Sequence, residues 1–172
     1  MSERNIKFWA NVSTRYDTAI DIILGENLRP KILGKLNKEE NMGKLIEFGC
    51  GSGYFTRTLA DKSESLISTD ISEEMLKIAK ERLKGIEFQT MDCENCKFND
   101  GTFDTAFMGL VLLFTDNPQK ALKESHRILK PEGSLIIADP DISYLSSFGK
   151  LKFLFRTLAN YRRIPPTSHF FT

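Results

Sequence analysis

Apolar and polar positions fall into two alternating periods along the chain. Lys44 to Phe48 (KLIEF) is a short apolar run that stops at a glycine cluster. Ser65 to Asp70 (SLISTD), Ile86 to Thr90 (IEFQT) and Ser134 to Asp139 (SLIIAD) are runs of similar length, and a longer one starts at Phe103 (FDTAFMGLVLLF). Each reads as a strand. Between them the period lengthens to that of a helix. Residues 53–60 start one helix. Glu73 to Leu83 forms another, with Ser72 as its cap, acids in its first turn, and Met75, Leu76, Ile78, Ala79 and Leu83 as its buried stripe. Gly85 ends it. Asn117 and Pro118 open a further helix, whose inner face is Ala121, Leu122, Ser125, Ile128 and Leu129. Pro131 and Gly133 punctuate the turn into the fifth strand. A last helix is expected over Ser143 to Asn160, and Asn5 to Lys38 reads as helical with a break near Pro30.

This strand–helix alternation predicts an α/β fold, a parallel sheet with helices on both faces. Strands one, four and five are nearly continuously apolar, as central parallel strands should be. The N-terminal segment is expected to pack over the carboxyl edge of the sheet. The chain has 172 residues, enough for one domain and too few for two ordinary ones. The expected division is a helical extension over 1–40, a core over 44–140, and a helix with a lid-like tail over 141–172.

Composition narrows the function classes. With 24 Lys+Arg against 23 Asp+Glu the net charge is +1, so no global basic field argues for a nucleic-acid partner. No apolar run is long enough to span a membrane, and the first residues lack the apolar core of a secretory signal. Cys50, Cys93 and Cys96 are too few and odd in number for a disulfide framework. A cytoplasmic enzyme or binding domain is the expectation.

The strongest motif is Glu47-Phe48-Gly49-Cys50-Gly51-Ser52-Gly53, between a strand and a helix. Glycines there permit a tight turn and let a ligand approach bare backbone, beyond the carboxyl ends of the strands. A dinucleotide fingerprint would place its third glycine at position 54, which is Tyr54. No basic cluster stands near the loop to meet a pyrophosphate. A cationic, phosphate-free nucleoside fits this pattern better than NAD. Asp70 closes the second strand about 20 residues beyond the loop, where an acid accepts from ribose hydroxyls. Asp92, just past the third strand, reads either as an acceptor for an adenine amino group or as an ordinary loop acid.

Five ordered blocks carry a family resemblance: LIEFGCGSGYFTRTLA, STDISEEMLKIAKERL, EFQTMDCENCKF, FDTAFMGLVLLFTD and ALKESHRILKPEGSLIIADP. Together, and with the early Tyr16-Asp17, they resemble the class I S-adenosylmethionine-dependent methyltransferases over about Trp9 to Pro140. The similarity is greatest to the small-molecule type related to ubiquinone and menaquinone biosynthesis. The resemblance implies a Rossmann-like, doubly wound, mainly parallel sheet in the order 3-2-1-4-5. It implies S-adenosylmethionine as cofactor and S-adenosylhomocysteine as product. Position by position, Gly49, Cys50, Gly51 and Gly53 would form the cofactor loop and Glu47 would face its amino group. Asp70 would bind the ribose, with Ile71 against adenine and Met75 nearby. Asp92 would meet the adenine amino group and Cys93 the ring. Gly109 and Leu110 would line the methionine side, and Tyr16 would cover the site. Arg127, Leu129 and Pro131 would be fold residues. The family sheet has seven strands, whereas five are complete by Asp139. Strands six and seven are therefore expected to be absent, leaving the fifth strand as an edge open to pairing with a second copy.

The implied chemistry is an in-line transfer of a methyl group, in which the protein supplies mainly orientation and exclusion of water. No catalytic residue is named by the pattern. The stretch Val111 to Phe114 has no ionisable group, which points to an apolar or aromatic small-molecule acceptor. His126 reads as a helix-surface residue and His169 as a tail residue that could reach an acceptor. Cys93 and Cys96 form a lone C-x-x-C without further ligands for a metal. With Cys50 nearby they suggest a thiol-using alternative such as arsenite methylation, against incidental cysteines. Lys150, Lys152, Arg156, Arg162 and Arg163, interleaved with Phe153, Phe155 and Leu158, fit either a solvated helix face or an amphipathic helix lying on a membrane or covering an acceptor. Two alternatives to methyl transfer remain: a catalytically idle cofactor-binding domain, and an NAD-dependent oxidoreductase.

Overall fold

The computed structural model describes residues 1–140 and 146–161. Five strands, β1 (Lys44–Phe48), β2 (Ser65–Asp70), β3 (Glu87–Thr90), β4 (Phe103–Gly109) and β5 (Leu129–Ala138), form one parallel sheet in the order β3-β2-β1-β4-β5. The order reverses beside β1, so the carboxyl ends of β1 and β4 diverge and open a crevice. This is the expected sheet, with β1 and β2 at the expected bounds. β5 starts five residues earlier than its apolar run, because Leu129 still pairs with Phe103 before a register shift.

Both faces of the sheet are covered, which is why its central strands read as unbroken apolar runs. Ile46, Phe48, Ala106 and Met108 pack on one side with Ala121 and Ile128 of α6 (Pro118–Ile128). Leu45 and Phe107 point to the other side, against Phe55, Leu59 of α4 (Thr56–Lys62) and Leu36 of α3 (Leu28–Leu36). α5 (Glu73–Arg82) is capped by Ser72, whose Oγ accepts from Met75 N, and Asn117 caps α6 by accepting from Lys120 N at 2.9 Å.

The N-terminal segment forms α1 (Glu3–Val12), α2 (Tyr16–Leu24) and α3. Its break is not at Pro30, as the sequence suggested, but at Gly25, which takes φ 93° and stops α2. Pro30 sits in the first turn of α3, where an amide hydrogen has no partner to lose. α1 and α2 lie at the carboxyl edge of the sheet. There Phe8, Trp9, Ala19 and Ile23 form a separate apolar cluster with Phe114 and with Phe153 and Tyr161 of α7 (Ser147–Tyr161). The helix expected from Ser143 starts at Ser147; positions 143–145 and the tail with His169 lie outside the described residues.

Candidate functional site

After β1 the chain turns through Gly49, Gly51 and Gly53, all in the left-handed region, with φ of 63°, 54° and 87°. A Cβ on Gly49 would stand 2.5 Å from Val111 Cγ2, and one on Gly51 would meet the Tyr16 ring at 3.4 Å. Backbone twist and close approach both require glycine at Gly49. From this loop Gly51 N donates to Asp70 Oδ2 at 2.8 Å, while Ser72 N donates to Oδ1 at 2.9 Å. The carboxylate is thus fixed from both sides and each oxygen keeps a lone pair for a ligand. Burial pushes the Asp70 pKa up; the amides of Ser72, Gly51 and Ile71 pull the other way.

Loop and acid form the floor of a cavity that is open to solvent. Trp9 and Tyr16 roof it, and Leu110, Val111 and Phe114 wall it on the β4 side. Ile71, Met75, Met91 and Cys93 complete the opposite wall. No Lys or Arg side chain lines it among the described residues. Leu110 holds φ 63° without being glycine, a strained turn secured by its amide donating to Ala138 O at 3.0 Å. Burial pushes the Tyr16 phenol well up; Arg29 pulls the other way, and Asp70, Asp17 and Asp139 each add a lesser upward push, so it stays neutral.

Eight of the sequence candidates therefore meet at one cavity. Five do not stand on its wall. Glu47 points to the opposite side of β1, where its Oε2 accepts from Thr56 Oγ1 and Ser68 Oγ, both at 2.7 Å. Burial raises its pKa to about 7 despite those two donors. Gly53 backs onto α5, where a Cβ would lie 2.9 Å from Leu83, and Gly109 is pressed against Phe107 and Phe55. Cys50 is buried beneath the loop. Asp92 sits just beyond the cavity end, where it accepts from the amino group of Met1, itself a cavity-lining residue.

The thiols carry no activated character. Burial pushes Cys50 and Cys93 well up and Cys96 up to about 12, so all three are protonated at neutral pH. No cluster of metal-ligating side chains occurs among the described residues. His126 is exposed on α6.

Sequence reasoning missed the parts that hold the roof. Asp17 accepts from Ser52 Oγ at 2.7 Å, from Arg29 Nη1 at 2.8 Å and from Arg82 Nη1 at 2.5 Å. Burial would raise its pKa, but the bonds from Arg82, Arg29 and Ser52 outweigh that and hold it below the ordinary value. Arg29 is buried at 4% exposure, also forks onto Asp21 at 2.8 and 2.6 Å, and lies 4.0 Å over the Tyr54 ring. The Tyr16-Asp17 pair was visible in sequence; its tie to the glycine loop was not. Trp9 and Phe114 reach the cavity through packing of distant segments, for which no local signal exists. Asp139 was also missed. It accepts from Leu112 N at 3.1 Å at the β4 tip, its Oδ1 is buried without a partner, and burial raises its pKa to about 6.

A model of the methyltransferase domain matches residues 46–137, more than half of the chain. The chain belongs to this family, in its class I S-adenosylmethionine-dependent branch. It is 30% identical over 131 residues to a demethylmenaquinone methyltransferase of Paenarthrobacter aurescens, covering 75% of this chain and 52% of that protein. A demethylmenaquinone methyltransferase of Staphylococcus epidermidis is 29% identical over 154 residues, 84% of this chain and 64% of that protein. The chain thus spans between about half and two thirds of the length of these relatives. Among solved structures, a SAM-dependent methyltransferase of Thermotoga maritima is similar with a TM-score of 0.73 and 25% identity, covering 96% of this chain and 74% of that one.

Proposed function

We propose that the chain holds S-adenosylmethionine in the cavity between the glycine loop and α2, and moves its methyl group to a small acceptor, apolar or aromatic. The observation that carries this reading is the Gly51–Asp70 bond: it fixes an acid with free lone pairs beside bare backbone, in a cavity without a cationic side chain. That set suits a ribose and a purine and offers no Lys or Arg side chain to a pyrophosphate.

When bound, S-adenosylmethionine supplies a methyl group already activated by its sulfonium. The residues here would hold it. Asp70 would accept from the ribose hydroxyls and Asp92 from the adenine amino group. Ile71, Met75 and Cys93 would pack on the ring. The backbone at Gly49 and Gly51 would lie against the methionine and ribose parts. Tyr16 and Trp9 would exclude water, and Leu110, Val111 and Phe114 would offer the acceptor an apolar wall. Glu47 would act indirectly, by bracing β1 against β2 and α4. Orientation of this kind contributes on the order of 7–11 kcal/mol to bimolecular reactions, so the fold does not depend on an obvious base. His126, exposed on α6, is not part of this site.

The division into an N-terminal roof, a core and a C-terminal segment belongs to the same proposal, with α1 and α2 as the roof. So does an assembly through β5, whose outer edge ends the sheet among the described residues and exposes Ile137 at 43%. Pairing of two copies along that edge would cover it. A monomer at micromolar concentration in sedimentation equilibrium would remove the assembly proposal and leave the cofactor proposal standing.

The test of function is transfer of label from methyl-labelled S-adenosylmethionine to a panel of phenolic, quinol and amine acceptors. Turnover of apolar or aromatic acceptors supports the reading. Cofactor binding with no transfer to any acceptor would favour an idle binding domain, and preference for charged amines would contradict the apolar pocket.

A further inference from the structure

Five large apolar side chains are exposed among the described residues, and four of them stand on two helices that pack together: Ile22 on α2, and Phe148, Phe155 and Leu158 on α7. Phe153, Thr157 and Tyr161 form the buried side of α7. Phe148 and Phe155 lie on the opposite side, two turns apart, at 75% and 72% exposure. Lys152 is exposed between them on the same side, and Leu158 follows one turn on. The helix contains Lys150, Lys152 and Arg156 and no acid, and Arg162 and Arg163 follow in the sequence. A helix that needs only to be solvated carries polar residues outward. This one carries aromatic rings and cations outward instead.

We propose that the outer face of α7 docks on an anionic lipid surface. Rings at this spacing suit insertion at the headgroup boundary of a helix about 22 Å long lying flat, and the cations suit the phosphates around them. Charge complementarity favours this occupant over a protein: the helix has no acid with which to orient a mixed-charge partner. The inner face of the same helix packs through Tyr161 onto Trp9, which roofs the cavity. Docking therefore places the cavity roof one helix away from the lipid, on the side from which an apolar molecule would arrive. The docking stands independently of the methyl-transfer reading, because it is measured without cofactor or acceptor.

The experiment is co-sedimentation of the purified chain with vesicles of phosphatidylcholine alone or mixed with phosphatidylglycerol, at low and high salt. Selective binding to the anionic vesicles, weakened by salt, is expected. Replacing Lys152 and Arg156 by Gln should weaken it about thirtyfold, roughly fivefold for each charge. Phe148→Ser with Phe155→Ser should also release the chain, with the circular dichroism spectrum and melting temperature unchanged because both rings are exposed. Equal partitioning to neutral and anionic vesicles would overturn the proposal. So would a lipid-free self-association that the two Phe substitutions abolish, since the face would then be an interface between copies.

Discussion

Asp17 and Ser52 are joined by a 2.7 Å hydrogen bond that ties the first turn of α2 to the glycine loop. Tyr16, the neighbour of Asp17, covers Gly51, the neighbour of Ser52. Roof and floor of the cavity are therefore in register because one carboxylate links them, with Arg29 and Arg82 on the same group. Asp17→Asn should weaken three charge-assisted bonds and lower stability by about 2 kcal/mol, with Arg29 still held by Asp21. The roof should also loosen, so limited proteolysis is expected to cut within residues 1–27 sooner than in the parent chain. Unchanged melting and cleavage would show that the roof is held by its apolar cluster alone.

Tyr16 acts through its ring, since its phenol stays protonated. Tyr16→Phe should leave S-adenosylhomocysteine affinity within about threefold, and Tyr16→Ala should lower it about tenfold, about 1.4 kcal/mol. Calorimetric titration distinguishes the two; a large loss with Phe would place a bond on the hydroxyl instead.

Gly49 has two reasons to be glycine: its φ of 63° and the nearby Val111 side chain. Gly49→Ala should cost about 1–2 kcal/mol from the left-handed backbone alone, and further from the overlap with Val111. Combining it with Val111→Ala should recover the overlap part only. Thermal unfolding of the single and double variants checks this; full recovery would mean that the backbone conformation costs nothing.

Glu47 makes stability depend on pH. Its pKa is raised to about 7 by burial, against an ordinary value of 4.5, so the folded chain binds the proton more tightly than the unfolded one. That contribution is fully present below pH 4.5 and is lost as pH rises through 7, with a span on the order of 3 kcal/mol. Glu47→Gln should remove this slope, so the variant gains on the parent chain between pH 5 and 8. Parallel stability curves over that range would contradict the buried, proton-binding carboxyl.

Much of the frame was legible because strands end where glycine or an acid ends an apolar run, as at Phe48 and Asp70. Pro30 misled because proline marks a break only where an amide hydrogen is needed, and the first helical turn needs none. Glu47 misled differently. Its place at a strand tip resembles a ligand contact, but its neighbours Ile46 and Phe48 face the other layer, so Glu47 must face away from them. Asp92 stood at a loop tip in sequence and stands beside the cavity in the fold. Trp9 and Phe114 could not be read locally, because each reaches the cavity through contacts between segments far apart in the chain.

The most direct measurement is calorimetric titration of the parent chain and Asp70→Ala with S-adenosylmethionine, S-adenosylhomocysteine and NAD. The parent chain should bind both adenosyl compounds and not NAD. Asp70→Ala should lose at least about a hundredfold in affinity, about 2.7 kcal/mol, while keeping the circular dichroism spectrum of the folded chain. Binding of NAD by the parent chain, or unchanged affinity in a folded Asp70→Ala, would contradict the account.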